Sequence, residues 1–221
     1  MRLLLGGLLL LGATLPLRAQ SDVQGWGARN FDSRWNRDTF VEVAAGPYRT
    51  LARRADGTIA ALGNPSPILP LPPGLAYAGL AVGDDHALAL RSDGSVVAWG
   101  QNTNGECNVP ALPAGLSYVA IAAGDGHSVA LRSDGSLAAW GLNSLGQCNV
   151  SPLPAGRTCA QVAACGRNTF ALLDNGSILA LGNNTSGQLS VPSLPAGTTY
   201  VEVAAGYSHA AARRSDGSAV A

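Results

Sequence analysis

The chain contains no lysine. All fourteen of its basic residues are arginine, fourteen acidic residues balance them, and charged residues make up only 13% of the 221. Such a composition builds no broad basic surface, which excludes a nucleic-acid partner held by its phosphates. The doublets Arg53-Arg54 and Arg213-Arg214 stand at equivalent places in a repeat and read as solvated strand ends. Long hydrophobic runs are also lacking, with one exception. Leu3 to Leu17 is a fifteen-residue apolar stretch, broken by glycines, between the basic start Met1-Arg2 and small-residue cleavage points at Ala19 and Gln20. It is too short for a comfortable membrane span and has the anatomy of a secretory signal peptide, residues 1–20. No cysteine lies beside the cleavage point to take a lipid. The mature chain, 21–221, is therefore expected to be exported (periplasmic, cell-surface or extracellular) and to have no membrane span.

Helical periodicity is absent after residue 20. What is present is one phrase, repeated. "LALRSDGSVVAWG" (88–100), "VALRSDGSLAAWG" (129–141) and "FALLDNGSILALG" (170–182) share a frame, and a further copy, "AARRSDGSAVA", ends the chain. The turn glycines are Gly57, Gly94, Gly135, Gly176 and Gly217, the first step being 37 residues (94 − 57) and the next three 41. Phe40, Tyr77, Tyr118, Cys159 and Tyr200 keep the same spacing, so hairpin units begin near 40, 77, 118, 159 and 200. Self-similarity at this period signals a solenoid or a propeller. Within a copy, "YVAIAAG" (118–124), "HSVALR" (127–132) and "SLAAWG" (136–141) are each strand-length. "SDG" between the last two puts glycine where a hairpin turn needs positive φ. "GQCNVSPLPAG" (146–156) is expected to form a fourth, outer edge strand ended by proline. Four strands per repeat, apolar on both faces and rich in alanine, suit a blade stacked between blades rather than a sheet with one wet face.

The pattern G-x-x-H…L…SDG…WG…N…GQ, read five times over about residues 23–221, resembles the regulator-of-chromosome-condensation (RCC1) repeat family. Tryptophan–aspartate repeats have a similar period, but Trp99 and Trp140 are followed by glycine. The short period resembles the compact, secreted bacterial members of the family, one of which is a secreted β-lactamase-inhibitor propeller. The resemblance implies an all-β fold, a β-propeller of RCC1-like blades. Members are mostly seven-bladed, so about five four-stranded repeats imply an incomplete ring. Another "WG" is due just beyond Ala221, so the last repeat is truncated and the chain is expected to be a fragment of a longer reading frame. The stretch "ARNFDSRWNRDTF" (28–40) departs furthest from the repeat, and with Phe31 and Trp35 it is expected to cover an exposed blade edge.

Candidate chemistry is sparse. His86, His127 and His209 all take the last place of G-x-x-H, where Arg49 and Asn168 stand in other copies. A residue that recurs once per blade is a blade part, its imidazole bonded to neighbouring backbone, and not a catalytic base. No catalytic triad remains, and no enzyme is expected. "GDDH" (83–86) gathers Asp84, Asp85 and His86 near Asp125, but consecutive turn residues rarely aim at one ion, so neither metal nor other cofactor is expected. Cys107, Cys148, Cys159 and Cys165 are expected to be free thiols: two lie apart on one strand and two on neighbouring blades.

The middle of G-x-x-H changes from copy to copy: Pro47-Tyr48, Asp84-Asp85, Asp125-Gly126, Gly166-Arg167, Tyr207-Ser208. Variable turns on one rim of a rigid frame are how repeat proteins build binding surfaces, although exposed turns also drift without consequence. Tyr48, Arg49, Asp84, Asp85, Asp125, Arg167 and Tyr207 are therefore the candidate contacts of a non-enzymatic binding or scaffold module for a protein or glycan partner. The alternative is a secreted protein inhibitor of an extracellular enzyme, which needs aromatic anchors concentrated on one rim. More distant is a hydrolase or lyase, which needs a non-repeating cluster of His, Asp or Glu that the sequence lacks. Guanine-nucleotide exchange, the namesake's activity, is at odds with a signal peptide.

Overall fold

The computed structural model describes residues 39–63, 68–150 and 152–221. Among them are fifteen strands and no helix, arranged as five separate three-stranded antiparallel sheets in chain order. Blade one holds β1 (Phe40–Ala45), β2 (Arg49–Arg54) and β3 (Ile59–Gly63). Blade two holds β4 (Tyr77–Val82), β5 (His86–Arg91) and β6 (Val96–Gly100), and blade three β7 (Tyr118–Ala123), β8 (His127–Arg132) and β9 (Leu137–Gly141). Blade four follows with β10 (Cys159–Cys165), β11 (Asn168–Leu173) and β12 (Ile178–Gly182), and blade five with β13 (Tyr200–Ala205), β14 (Ala210–Arg214) and the short β15 (Ala219–Val220). The signal peptide, Phe31 and Trp35 lie outside the described residues.

Local chemistry sets each blade. The turn between its second and third strands is closed by the side chain three residues before the third strand. Asp93 Oδ1 accepts the Ser95 N–H at 2.9 Å and its hydroxyl at 2.7 Å, and Asp134 and Asp216 repeat both bonds. Gly94 follows with φ 80°, a left-handed conformation that a Cβ disfavours. The first strand of every blade carries a register shift just after its opening residue, as between Tyr118 and Ala120. Such a bulge increases the local twist. The middle strands are the most deeply buried: His86–Leu90 and His127–Leu131 are buried throughout.

The hydrophobic core lies between blades. One cluster joins Leu88, Leu90 and Val96 of blade two to Tyr118, Ala130 and Trp140 of blade three, and another joins Val129 and Leu137 of blade three to Cys159, Val162 and Ala171 of blade four. Both faces of the inner sheets are thus covered, which explains their alanine-rich strands. The architecture is a β-propeller, left open: no strand of the first sheet pairs with one of the fifth among the described residues.

The expected fourth strand does not form. Over 146–156 the described backbone makes tight turns, with Asn149 N–H donating to the Gly146 carbonyl at 3.0 Å, and pairs with no sheet. Side chains do the work of a ladder. Asn143 Oδ1 accepts the Cys148 N–H at 2.9 Å, and Asn143 Nδ2 donates to Asn149 Oδ1 at 3.0 Å, as Asn102 does with Cys107 and Asn108 one blade earlier. The loop then drops two apolar residues between blades, Val109 and Leu112 in one interface and Val150 and Leu153 in the next. The repeat tyrosines tie it down: Tyr118 and Tyr200 donate to the carbonyls of Pro110 at 3.0 Å and Pro192 at 2.6 Å.

Candidate functional site

The G-x-x-H turns connect the first and second strands of each blade, so the frame must be understood before its variable residues. His86 and His127 are completely buried, and each reaches the next blade, His86 Nε2 to Ser128 Oγ and His127 Nε2 to Thr169 Oγ1, both at 2.9 Å. The partner is therefore a hydroxyl of the following blade rather than backbone of the same one. The hydroxyl carries the link onward: Ser128 Oγ donates to the Glu106 carbonyl at 2.8 Å, which also accepts Trp140 Nε1–H at 2.8 Å. Burial pulls both imidazoles down to about 4, so they are neutral blade parts near pH 7. Arg49, in the same repeat place, is also buried, only 5% exposed, and Nη2 donates to the Asp85 carbonyl at 2.8 Å. Arg49 is thus a frame residue and not a surface contact.

The other variable residues converge. Asp84, Asp85, Asp125, Arg167 and Tyr207, drawn from the turns of blades two to five, line one cavity of about 300 Å³ together with Gln101, Asn104, Glu106, Gly126 and Leu142. Four carboxyl groups thus face one guanidinium and one phenol. Burial raises Asp125 to about 6, the neighbouring Asp84 charge adds to this, and Arg167 and Tyr207 oppose it. Asp84 is raised by burial and then by the Asp85 charge, while its side-chain interaction with Asp125 lowers it. Asp125 therefore takes up a proton as pH falls through about 6 and is mainly a carboxylate above it. Tyr207 is 64% exposed at the cavity edge. Tyr48, at 50% exposure, stands on blade one and does not line this cavity.

Sequence reasoning missed Glu106, a carboxylate only 2% exposed whose Oε2 accepts the Asn104 N–H at 2.7 Å. Gln147 and Gln188 make the same bond, at 2.9 Å, to Leu145 and Ser186. Recurrence of Glu or Gln just before Cys107, Cys148 and Leu189, in step with the period, was the available signal. Among the described residues no group of three or more His, Cys, Asp or Glu side chains is placed to hold a metal ion. All four cysteines are free. No described helix is long and apolar enough to cross a membrane.

Residues 78–106 and 118–147 match the family model of the regulator of chromosome condensation (RCC1) repeat. Blades two and three thus carry RCC1 repeats. No curated protein sequence matches the chain. Several solved structures share its fold. Prp20p from Saccharomyces cerevisiae, described with its binding to Gsp1p and histones, superposes with a TM-score of 0.70 at 23% identity, over 81% of this chain and 57% of that one. Human WBSCR16 gives 0.69 at 21% identity, over 82% and 61%, and the ectodomain of the Physcomitrella patens receptor kinase CR4 gives 0.64 at 21%, over 81% and 50%. This RCC1-repeat chain thus spans less than two thirds of each of these relatives.

Proposed function

We propose that this chain is a non-enzymatic binding module of the RCC1 type, presenting the turns of blades two to five to a protein partner. The observation that carries this reading is the convergence of Asp84, Asp85, Asp125, Arg167 and Tyr207, all from variable repeat positions, on one open cavity. Frame residues such as His86 and His127 are spent on buried blade contacts, whereas these side chains face the open cavity. An excess of carboxyls in a partly enclosed cavity favours a basic side chain of the partner, Arg167 fixing its orientation by repulsion and Tyr207 covering its aliphatic stem. Protein partners are favoured over glycans by the precedent of Prp20p, which binds Gsp1p and histones and of which a complex with Kap60 has been solved. Among the described residues the exposed aromatic anchors are Tyr48 and Tyr207, on different blades, which weighs against the inhibitor reading. We place the module outside the cytoplasm on the strength of residues 1–20; the amino-terminal sequence of the expressed protein tests this, cleavage after Ala19 or Gln20 being the expected result.

The binding reading is tested with an array of short peptides graded in arginine and lysine content. Basic peptides should be retained, less so as salt rises, and retention should fall at least tenfold for Asp84→Asn/Asp125→Asn, a loss of about 1.4 kcal/mol. Retention that is indifferent to peptide charge or to this double substitution refutes it.

A further inference from the structure

Blades two, three and five open on a tyrosine, and blade four opens on Cys159. Tyr77, Tyr118 and Tyr200 are buried against the preceding repeat. Each clusters there with one residue of the third strand and two of the outer loop: Tyr77 with Ile59, Ile68 and Leu71, Tyr118 with Val96, Val109 and Leu112, Tyr200 with Ile178, Val191 and Leu194. Their hydroxyls donate to carbonyls of that loop, those of Leu69, Pro110 and Pro192, at 2.5, 3.0 and 2.6 Å. Across the strand pair an arginine stands opposite each ring, Arg91, Arg132 and Arg214.

At Cys159 the backbone is set as it is at the tyrosines, its N–H donating to the Gly135 carbonyl at 2.9 Å as the Tyr118 N–H does to Gly94. The side chain, however, stops short, and Sγ turns to the Gln161 carbonyl at 3.1 Å. The arginine opposite is lost with the ring, Leu173 taking its place. The walls remain. Leu137, Val150 and Leu153 stand where Val96, Val109 and Leu112 surround Tyr118, and the loop closes on the same bond, Arg157 N–H to the Pro154 carbonyl at 3.0 Å. Beside the hairpin at Asp134 these three apolar residues and Arg157 line a cavity of about 310 Å³. An apolar cavity of about 150 Å³ is already enough to take up benzene.

We propose that this cavity binds a para-substituted phenol, its ring entering where the tyrosine of blade four would stand. The chain itself supplies the template, because three of its interfaces close the same walls on a tyrosyl ring and hold the hydroxyl from the loop. Arg157 occupies the loop place of Leu116 and Thr198, so a guanidinium lines the cavity although the arginine of the strand pair is gone. The G-x-x-H and Asp-Gly turns close opposite ends of each second strand, so this site is separate from the cavity lined by Asp125 and independent of it.

Titration of the full chain with p-cresol, followed by NMR, tests this, with toluene and N-acetyltyrosinamide as comparison ligands. One saturable site for p-cresol is expected, and binding of toluene, which has no hydroxyl to donate, should be about tenfold weaker. Cys159→Tyr fills the cavity with a ring of the chain's own. It should weaken p-cresol binding about tenfold or more and raise the melting temperature, whereas Cys159→Ala should leave binding unchanged. Circular dichroism shows whether the tyrosine variant folds, and Leu153→Phe fills the cavity from the loop if it does not. Binding of N-acetyltyrosinamide as well as p-cresol assigns the site to a tyrosyl side chain of a partner; binding of p-cresol alone assigns it to a free phenol. Absence of saturable binding to wild type, equal binding of toluene, or an affinity unmoved by the cavity-filling variant overturns the proposal.

Discussion

Acidification should loosen this protein through two histidines. His86 and His127 are completely buried, and burial holds both imidazoles at about 4 instead of 6.5. For His86 the Arg49 charge adds to burial while Glu106 and Asp85 oppose it; for His127 the His86 charge adds to it. The folded state therefore stays neutral at these sites while the unfolded chain takes up protons from pH 6.5 downward. Stability is intact above that value, is lost as pH falls toward about 4, and levels off below. At pH 5 each site costs about 2 kcal/mol relative to pH 8, so the pair costs about 4 kcal/mol. That is a large share of the ~5–15 kcal/mol a domain of this kind holds in total. Asp125 acts with the opposite sign, because its raised carboxyl contributes stability at low pH that is lost as pH rises through about 6. Comparison is therefore made in an Asp125→Asn background. Urea unfolding followed by Trp99 and Trp140 fluorescence at pH 8, 6.5 and 5 supplies the free energies. Replacing both histidines by glutamine should remove about 4 kcal/mol of the loss between pH 8 and 5. An unchanged pH slope would refute the claim that these imidazoles are buried and neutral.

Three further outcomes follow from single contacts. A Cβ at Gly124 would press on His127 Nδ1 at 2.5 Å and on the Gly166 carbonyl at 2.7 Å, so Gly124→Ala should cost about 2–3 kcal/mol in urea unfolding, and less in a His127→Asn background. Trp140→Phe leaves the Glu106 carbonyl one donor short and should cost about 1 kcal/mol beyond the lost area, measured against wild type by urea unfolding. Burial pushes the thiols of Cys107, Cys148 and Cys159 up to about 11, so iodoacetamide at pH 7 should label the native protein slowly. All four cysteines should react after denaturation without any reductant, and a requirement for reductant would contradict free thiols.

Much of the blade was legible because its signals are local. Asp-Gly, or Asn-Gly in blade four, marks the second hairpin turn, and five such turns at steps of 37 and 41 residues with strand-length apolar runs between them leave few architectures. The outer segment was misread as a strand because proline and polar residues suit an edge. What decides there is the Asn102–Asn108 and Asn143–Asn149 pairing, which satisfies the backbone without a ladder and depends on side chains six residues apart. Arg49 was misplaced for a different reason. A residue that varies within a turn motif looks like a surface residue, but strand pairing makes it the first residue of a buried middle strand, opposite Gly63. Convergence of Asp84, Asp125 and Tyr207 on one cavity was legible as a shared rim. The size of that cavity and the presence of Glu106 depend on how blades stack.

The variable turns can vary because the frame uses their backbone and ignores their side chains. The carbonyls of Asp85, Gly126 and Arg167 accept the N–H groups of Gln101, Leu142 and Asn183 at 2.8, 2.8 and 3.1 Å, so an aspartate, a glycine and an arginine perform one structural task. The fixed positions behave oppositely. Gly83 could not carry a Cβ, which would sit 2.6 Å from His86 Cε1, and Gly124 and Gly206 meet their own histidines in the same way. Blade four departs from this rule at both places together. Cys165 replaces the glycine only where Asn168 replaces the histidine, and the close approach to the next blade passes to Gly166, whose Cβ would strike the Tyr207 carbonyl. In blade one the histidine alone changes: Gly46 stays beside Arg49 because a Cβ there would meet the Gly83 carbonyl of the next blade at 2.6 Å, so the glycine answers to the blade interface and not only to the histidine.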